Sequence, residues 1–251
     1  MPINRRSFRV SLGFTDKEKL KKYFKFTDEI PVDWERLRAC NTRVKDIFTR
    51  LNPVIHESVR VNLTEFNEKI DNVFSEMCNN ELFQKLTNNG RNPVDVYYNW
   101  LRGYAVCEFF IPAIATLFGV GVDSVERVGS DDFSSVDVFK RTADADLEIL
   151  ISETLRFKLE VQSGFTGAND IKRSKVDRAI SVKRNENIDS YLIHFDIYNG
   201  QAALYCTSRI DPQNFTWTIK FENSPTIEIP EAAFKWKLEN SPTEYTSLVY
   251  N

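Results

Sequence analysis

Apolar and polar residues alternate along a stretch near the middle of the chain. Residues 146–162 carry an apolar side chain at nearly every second position, with an interruption at the turn-prone residues 152–154. Alternation with a period of two is typical of a strand with one buried face, so the pattern predicts a β-hairpin. With the turn centred on Glu153, Asp146 lies directly opposite Glu160.

The predicted hairpin has one apolar face and one polar face. Because side chains alternate between faces, the polar face consists of Asp146, Glu148, Lys158, Glu160 and Gln162. Two opposed carboxylates repel each other unless a cation lies between them, and their hard oxygen atoms suit a divalent ion such as Mg²⁺. The alternative is an ordinary hairpin with one wet face, on which Glu148 and Lys158 form an ion pair.

Helical periodicity dominates the first part of the chain, and strand periodicity follows it. We expect helices at residues 15–26, 31–50, 53–77 and 93–119. Beyond them the pattern predicts a strand at 122–128, the hairpin, a helix capped by Asn169 or Asp170, a second hairpin turning at Asn199-Gly200, and strands at 217–221 and 226–229. This order indicates an α/β (α+β) fold, with a helical N-terminal region at 1–92, integral to one domain, and a core at 93–251.

The amino-acid composition excludes several classes of protein and of functional site. The 251 residues are 42% hydrophobic, enough for a sizeable core, but no apolar run reaches membrane-spanning length, so we expect no membrane partner. The four cysteines show no paired spacing, and no signal peptide is evident, which favours a cytoplasmic protein. The chain has only two histidines, which argues against a zinc site. It has no Gly-rich phosphate loop, which argues against a nucleotide cofactor. Any enzymatic chemistry therefore depends on carboxylates.

Glu108 is a charge inside an apolar helical segment, where an acidic residue seldom occurs without a partner. We expect its helix to pack on the sheet and its carboxylate to lie beside the metal held by Asp146 and Glu160. The alternatives are an exposed glutamate on an amphipathic helix, or an ion pair with Arg102 or Arg127.

The arrangement Asp146, a gap of thirteen residues, then Glu160-Val161-Gln162 resembles the motif of the PD-(D/E)XK nuclease superfamily, which includes type II restriction endonucleases. This chain departs from the pattern at two positions: Ala145 precedes the aspartate in place of proline, and Gln162 stands where the family usually has lysine. The resemblance implies a mixed central sheet flanked by helices, as in restriction endonucleases, and a homodimeric, Mg²⁺-dependent, sequence-specific endonuclease of double-stranded DNA.

The resemblance also implies roles for individual residues. Asp146, Glu160 and Glu108 are the expected metal ligands, and Gln162 is expected to orient the attacking water. The missing positive charge is expected to come either from greater reliance on metal, such as a second ion, or from a lysine elsewhere in the chain, for which Lys172 and Lys175 are the nearest candidates. The segment after the motif is expected to contact DNA through Ser163, Thr166, Asn169, Lys172, Arg173 and Lys175. The alternatives are a non-catalytic DNA-binding or assembly protein that retains the fold, and a repair or recombination nuclease of the same superfamily.

Overall fold

The structure is a computed structural model that describes residues 5–24, 31–86, 92–128, 145–164, 169–219 and 224–250. Its helices are α1 (Arg5–Leu12), α2 (Lys17–Phe24), α3 (Trp34–Leu51), α4 (Leu63–Asn79), α5 (Pro93–Phe118), α6 (Arg173–Glu186) and α7 (Tyr245–Leu248). Its strands are β1 (Val125–Arg127), β2 (Leu147–Leu150), β3 (Arg156–Gly164), β4 (Asp170–Lys172), β5 (Asp189–Asp196), β6 (Gln201–Tyr205), β7 (Thr218–Ile219), β8 (Pro225–Glu228), β9 (Trp236–Lys237) and β10 (Val249–Tyr250).

The central sheet has seven strands in the order β1-β2-β3-β5-β6-β10, and β9 also pairs with β6. The β3–β5 and β6–β10 pairs are parallel and the other pairs are antiparallel, so the sheet is mixed. Helices flank it, which confirms the predicted fold class. In the β2–β3 hairpin Glu148 pairs with Lys158 and Leu147 with Leu159, the register that the alternation predicts.

The two faces of the central sheet pack against different helices. On one face α5 covers the sheet, and the ring of Phe110 stacks on that of Phe195 with centroids 3.8 Å apart. On the other face Leu192 and Ala203 join Val176 of α6 and Ile171 of β4 in a second buried cluster. The small sheet β4-β8-β7 lies beside this cluster. Because α6 packs on the polar face of the β2–β3 hairpin, the N-terminal turn of α6 is placed near Glu160.

Several predicted element boundaries are wrong. Asn52 does not open a helix at Pro53; its side chain exchanges two hydrogen bonds with the backbone of Val61, and α4 begins only at Leu63. Neither Asn169 nor Asp170 caps α6, because Asp170 pairs with β8 as the first residue of β4.

The second predicted hairpin is present, but its turn differs from the predicted two-residue type. Only Gly200 of the Asn-Gly pair has positive φ, at 64°. The β5–β6 pairing closes at Asp196 and Gln201, so the connection between them is four residues long. Asp196 holds this loop by accepting hydrogen bonds from both the backbone and the side chain of Asn199.

Helix α5 is the central helix of the fold. Pro93 opens it and Gly119 ends it, as the sequence predicts; Asn92 caps its first turn, and Gly119 has the left-handed conformation. Among the described helices it is the one long and apolar enough to cross a membrane by length and composition. However, 61% of its most apolar window is buried inside the protein, which is the pattern of a core helix.

Candidate active site

Asp146 is fixed between two strands at the start of β2. The backbone N–H of Val128 donates to its carbonyl oxygen at 3.1 Å, and the N–H of Val161 donates to its Oδ2 at 2.8 Å. The second bond comes from the residue after Glu160, so the aspartate carboxylate lies against β3 at the motif. The register of the hairpin, continued by one residue, places Asp146 opposite Glu160.

The carboxyl of Asp146 sits where its charged form is poorly solvated. Burial raises its pKa, while the Val161 N–H and the nearby Lys175 ammonium partly offset that effect. Asp146 is half-buried, and a carboxylate whose negative charge is costly at such a position gains from a cation placed beside it.

Lys175, in the first turn of α6, contacts the other two motif residues. Its Nζ forms an ion pair with Oε1 of Glu160. With the Gln162 amide oriented to satisfy its neighbours, Lys175 Nζ donates to its oxygen at 3.1 Å, and its nitrogen donates to the carbonyl of Asp170 at 3.2 Å. The lysine that the motif lacks on β3 thus has a counterpart on α6, and of the two candidates suggested by the sequence, Lys175 is the one with these contacts.

The donor set at the hairpin suits a hard divalent cation. Asp146 and Glu160 offer carboxylate oxygens, and Mg²⁺ is commonly held by one or two carboxylates while water and phosphate complete its shell. Within the described ranges no group of three Asp, Glu, His or Cys side chains is arranged to hold a metal. Asp131, Asp132 and Asp144, acidic residues that precede the hairpin in the sequence, lie outside the described residues.

Glu108 is buried on α5, as predicted, but its partners are protein cations. Its side chain is 1% exposed, and it pairs with Lys69 at 2.9 Å and with Arg127. Arg127 faces Leu147 across the β1–β2 pair, so its side chain lies on the face of the sheet that α5 covers, away from Glu160. The alternative of an Arg127 partner is therefore present in the structure, and the metal-ligand role of Glu108 stays a prediction without geometric support.

The predicted DNA contacts fall into different environments. Thr166 lies outside the described residues. By strand alternation Ser163 lies on the α5 face, opposite to Gln162. Lys172 ends β4, immediately before α6. Arg173 lies 5.4 Å from the ring of Trp217 and near Asp177. Arg173 is exposed, whereas Lys172 and Lys175 are half-buried, and the DNA-contact assignments of all three stay predictions.

A buried polar network behind the motif was not predicted. His194 of β5 is buried and pairs with Gln162 across β3 and β5. Its Nε2 lies 2.8 Å from Oδ1 of Asn169, whose Nδ2 donates to Asp196 at 3.2 Å. Burial lowers the pKa of His194 to about 4, so it is neutral at physiological pH. Asn169 is half-buried and takes part in this network, and its contact with DNA stays a prediction.

Comparison with known proteins gives little independent information. No family model matches the chain, and no curated protein matches it. Among solved structures it is similar to Hjc, a Holliday junction resolvase from the archaeal hyperthermophile Archaeoglobus fulgidus, with 10% identity and a TM-score of 0.28. That match covers 44% of this chain and 76% of the resolvase. At this sequence identity and TM-score, the similarity does not indicate what this chain does.

Proposed function

We propose that this protein is a Mg²⁺-dependent endonuclease of double-stranded DNA, and more narrowly a type II restriction enzyme that acts as a homodimer. One observation carries the proposal: the hairpin register aligns Asp146 with Glu160, and Lys175 connects Glu160 with Gln162 from α6. The four free cysteines support a cytoplasmic location.

Phosphodiester hydrolysis joins a water oxygen to phosphorus and releases a sugar oxygen, and negative charge accumulates on the phosphoryl group during the step. Asp146 and Glu160 would hold Mg²⁺, which when bound supplies positive charge beside that phosphate. The ammonium of Lys175 adds a second, fixed positive charge at the same place. The amide of Gln162 can orient the attacking water by hydrogen bonding, although it brings no charge of its own.

The test is digestion of supercoiled plasmid by the full chain with Mg²⁺ and with EDTA. We expect cutting only with Mg²⁺, and a loss of roughly 10²-fold or more in Asp146→Asn and Glu160→Gln, because each variant removes a ligand charge. Glu148→Gln is the matched control: Glu148 lies on the same face of the hairpin but pairs with Arg156 at 2.9 Å, and its loss should leave cutting intact.

The pattern of products separates the alternatives. Discrete fragments from a long linear DNA indicate a site-specific restriction enzyme. Cutting confined to branched DNA indicates a repair or recombination nuclease. DNA binding with no cutting in any divalent metal would contradict catalysis and leave the non-catalytic alternative.

A further inference from the structure

The first two helices, α1 and α2, follow each other closely at the N-terminus, and we call residues 5–24 the N-terminal arm. Gly13, with φ at 79°, ends α1, and the N–H of Phe14 donates to the carbonyl of Arg9 at 3.1 Å. The rings of Phe14 and Tyr23 then pack together with centroids 5.0 Å apart. No residue of α1 or α2 is buried, so burial against the rest of the protein does not account for the arm.

The arm concentrates positive charge in a protein that is otherwise acidic. It contains seven Lys and Arg residues and two acidic residues, a net charge of +5, whereas the whole chain carries −3, which leaves −8 for the remainder. A DNA molecule approaching the remainder meets a net repulsive field, because both are negative. A protein that acts on DNA therefore needs a local basic surface, and the arm provides one.

The basic residues are spaced as a binding face. Arg5 and Arg9, and likewise Lys17 and Lys21, are four residues apart and adjoin on one side of their helices. Like charges at this spacing destabilise a helix unless an anion lies near them. Among the described residues Arg5, Arg6 and Arg9 have no ion-pair partner, and the intra-arm pair of Lys21 with Glu18 spans 3.5 Å on the surface.

Exposed aromatic side chains accompany these charges. Phe8 and Tyr23 are each 65% exposed, and Phe24 is 88% exposed. Proteins that bind nucleic acids combine cations with aromatic rings. The cations contact phosphates, and the rings stack on bases or wedge between them.

We propose that the N-terminal arm binds the phosphate backbone of duplex DNA outside the cleavage site. This inference rests on the proposed function for the identity of the ligand. The arm supplies affinity that depends on salt and not on sequence, and the hairpin of β2 and β3 supplies the chemistry.

The test compares two triple variants of the full chain in EDTA, where no cutting occurs, with a DNA duplex as the probe. Arg5→Gln/Arg6→Gln/Arg9→Gln should flatten the plot of log K against log salt by about 0.9 for each phosphate that is no longer neutralised, or about 2.7 if all three arginines bind. The matched control is Arg38→Gln/Arg43→Gln/Arg50→Gln, which removes three exposed arginines from α3 and should leave the slope unchanged.

Three outcomes would overturn the proposal. The first is an unaltered salt slope in the arm variant, and the second is an equal change in the α3 control. The third is an unaltered slope combined with a change in another property of the arm variant. A lower sedimentation mass would assign the arm to contact with a second copy of the chain, and weaker binding to anionic vesicles would assign it to a membrane. Because binding is measured without metal, a flattened slope supports the arm even if plasmid cutting fails, and cutting with an unaltered slope contradicts the arm alone.

Discussion

At the scale of single residues, the burial of Asp146 ties stability to metal binding. Its folded-state pKa is raised by burial, so the folded protein binds this proton more tightly than the unfolded chain does. The protonated Asp146 carboxyl therefore stabilises the fold. This stabilisation is complete at pH values below the pKa of the carboxyl in the unfolded chain, and it is lost as pH rises through the pKa of the carboxyl in the folded protein. At neutral pH without metal, the ionised carboxylate therefore weakens the fold.

We expect Asp146→Asn to raise the melting temperature of the metal-free protein at pH 7, because an asparagine oxygen can still accept the Val161 N–H without carrying charge. The gain should shrink as pH falls and the wild-type residue becomes protonated. Added Mg²⁺ or Mn²⁺ should stabilise the wild type and not the variant. Thermal melts across pH, with and without metal, measure both effects. A variant that melts below the wild type at pH 7 would contradict this account of the carboxylate.

Lys175 contacts both Glu160 and Gln162 from the first turn of α6. We expect Lys175→Ala to slow single-turnover cutting by roughly 10²-fold or more, because it removes the positive charge next to Glu160. Adding Gln162→Lys to that variant should restore part of the rate, since it returns a cation to the same place from β3. Lys172→Ala, made at the other candidate lysine, is the control. Adding Gln162→Lys to Lys172→Ala should not raise its rate of cutting. Absence of rescue would make the Lys175 contact purely structural.

At the scale of elements, the register of the hairpin was predictable and the docking of α6 was not. Alternation and a short turn around Glu153 are local, and they fix which residues face each other. The choice between Lys172 and Lys175 depends on how α6 packs over the sheet, which no local pattern encodes. The start of α4 was missed for a related reason: Asn52 and Asn62 are both good N-caps, and only the tertiary bonds of Asn52 to Val61 decide between them.

The close approach of β3 to the residues leading into β4 gives an element-scale prediction. A Cβ on Gly164 would lie 2.7 Å from Nε2 of His194 and closer still to Asn169, so this glycine lets the strand approach the buried network. We expect Gly164→Ala to cost about 1–3 kcal/mol of unfolding free energy, and to reduce cutting because Asn169 leads into β4 and α6. Gly103→Ala on α5, where the added Cβ meets open space, is the control and should be neutral or stabilising. Equal effects in denaturant melts would contradict the steric account.

The packing of α5 on β1 allows a second test at this scale. Glu108→Gln leaves Arg127, which is 24% exposed, without its charge partner, and should lower the unfolding free energy by roughly 3 kcal/mol. Adding Arg127→Met should recover part of this stability, because the cation then left without Glu108 is Lys69, which is 57% exposed and stays solvated. If Glu108 serves only this ion pair, the Mg²⁺ dependence of cutting stays as in the wild type. Normal stability with weakened metal dependence would instead support Glu108 as the metal ligand that the sequence suggests.

At the scale of the whole molecule, one hydrophobic core joins the helical N-terminal region to the sheet. The main cluster runs from Leu37 of α3 through Phe109 of α5 and Leu159 of β3 to Leu248 of α7. The N-terminal arm contributes no buried residue to it. Phe48 of α3 packs on both Phe66 of α4 and Phe109 of α5. The helical region that follows the arm therefore shares one continuous core with α5 and the sheet, and we expect it to unfold together with them.

Calorimetry tests whether the helical region and the sheet unfold as one unit. We expect a single heat-capacity peak for the full chain, because the apolar surfaces that α3, α5 and the sheet bury against one another become exposed together. Leu37→Ala and Leu159→Ala, both at 0% exposed positions, should each cost roughly 2–5 kcal/mol and move that one peak downward. An exposed-site control, Val54→Ala, should leave the peak almost unmoved because Val54 is 66% exposed. Two peaks, one responding only to the α3 substitution and the other only to the β3 substitution, would show that the helical region and the sheet fold as separate domains.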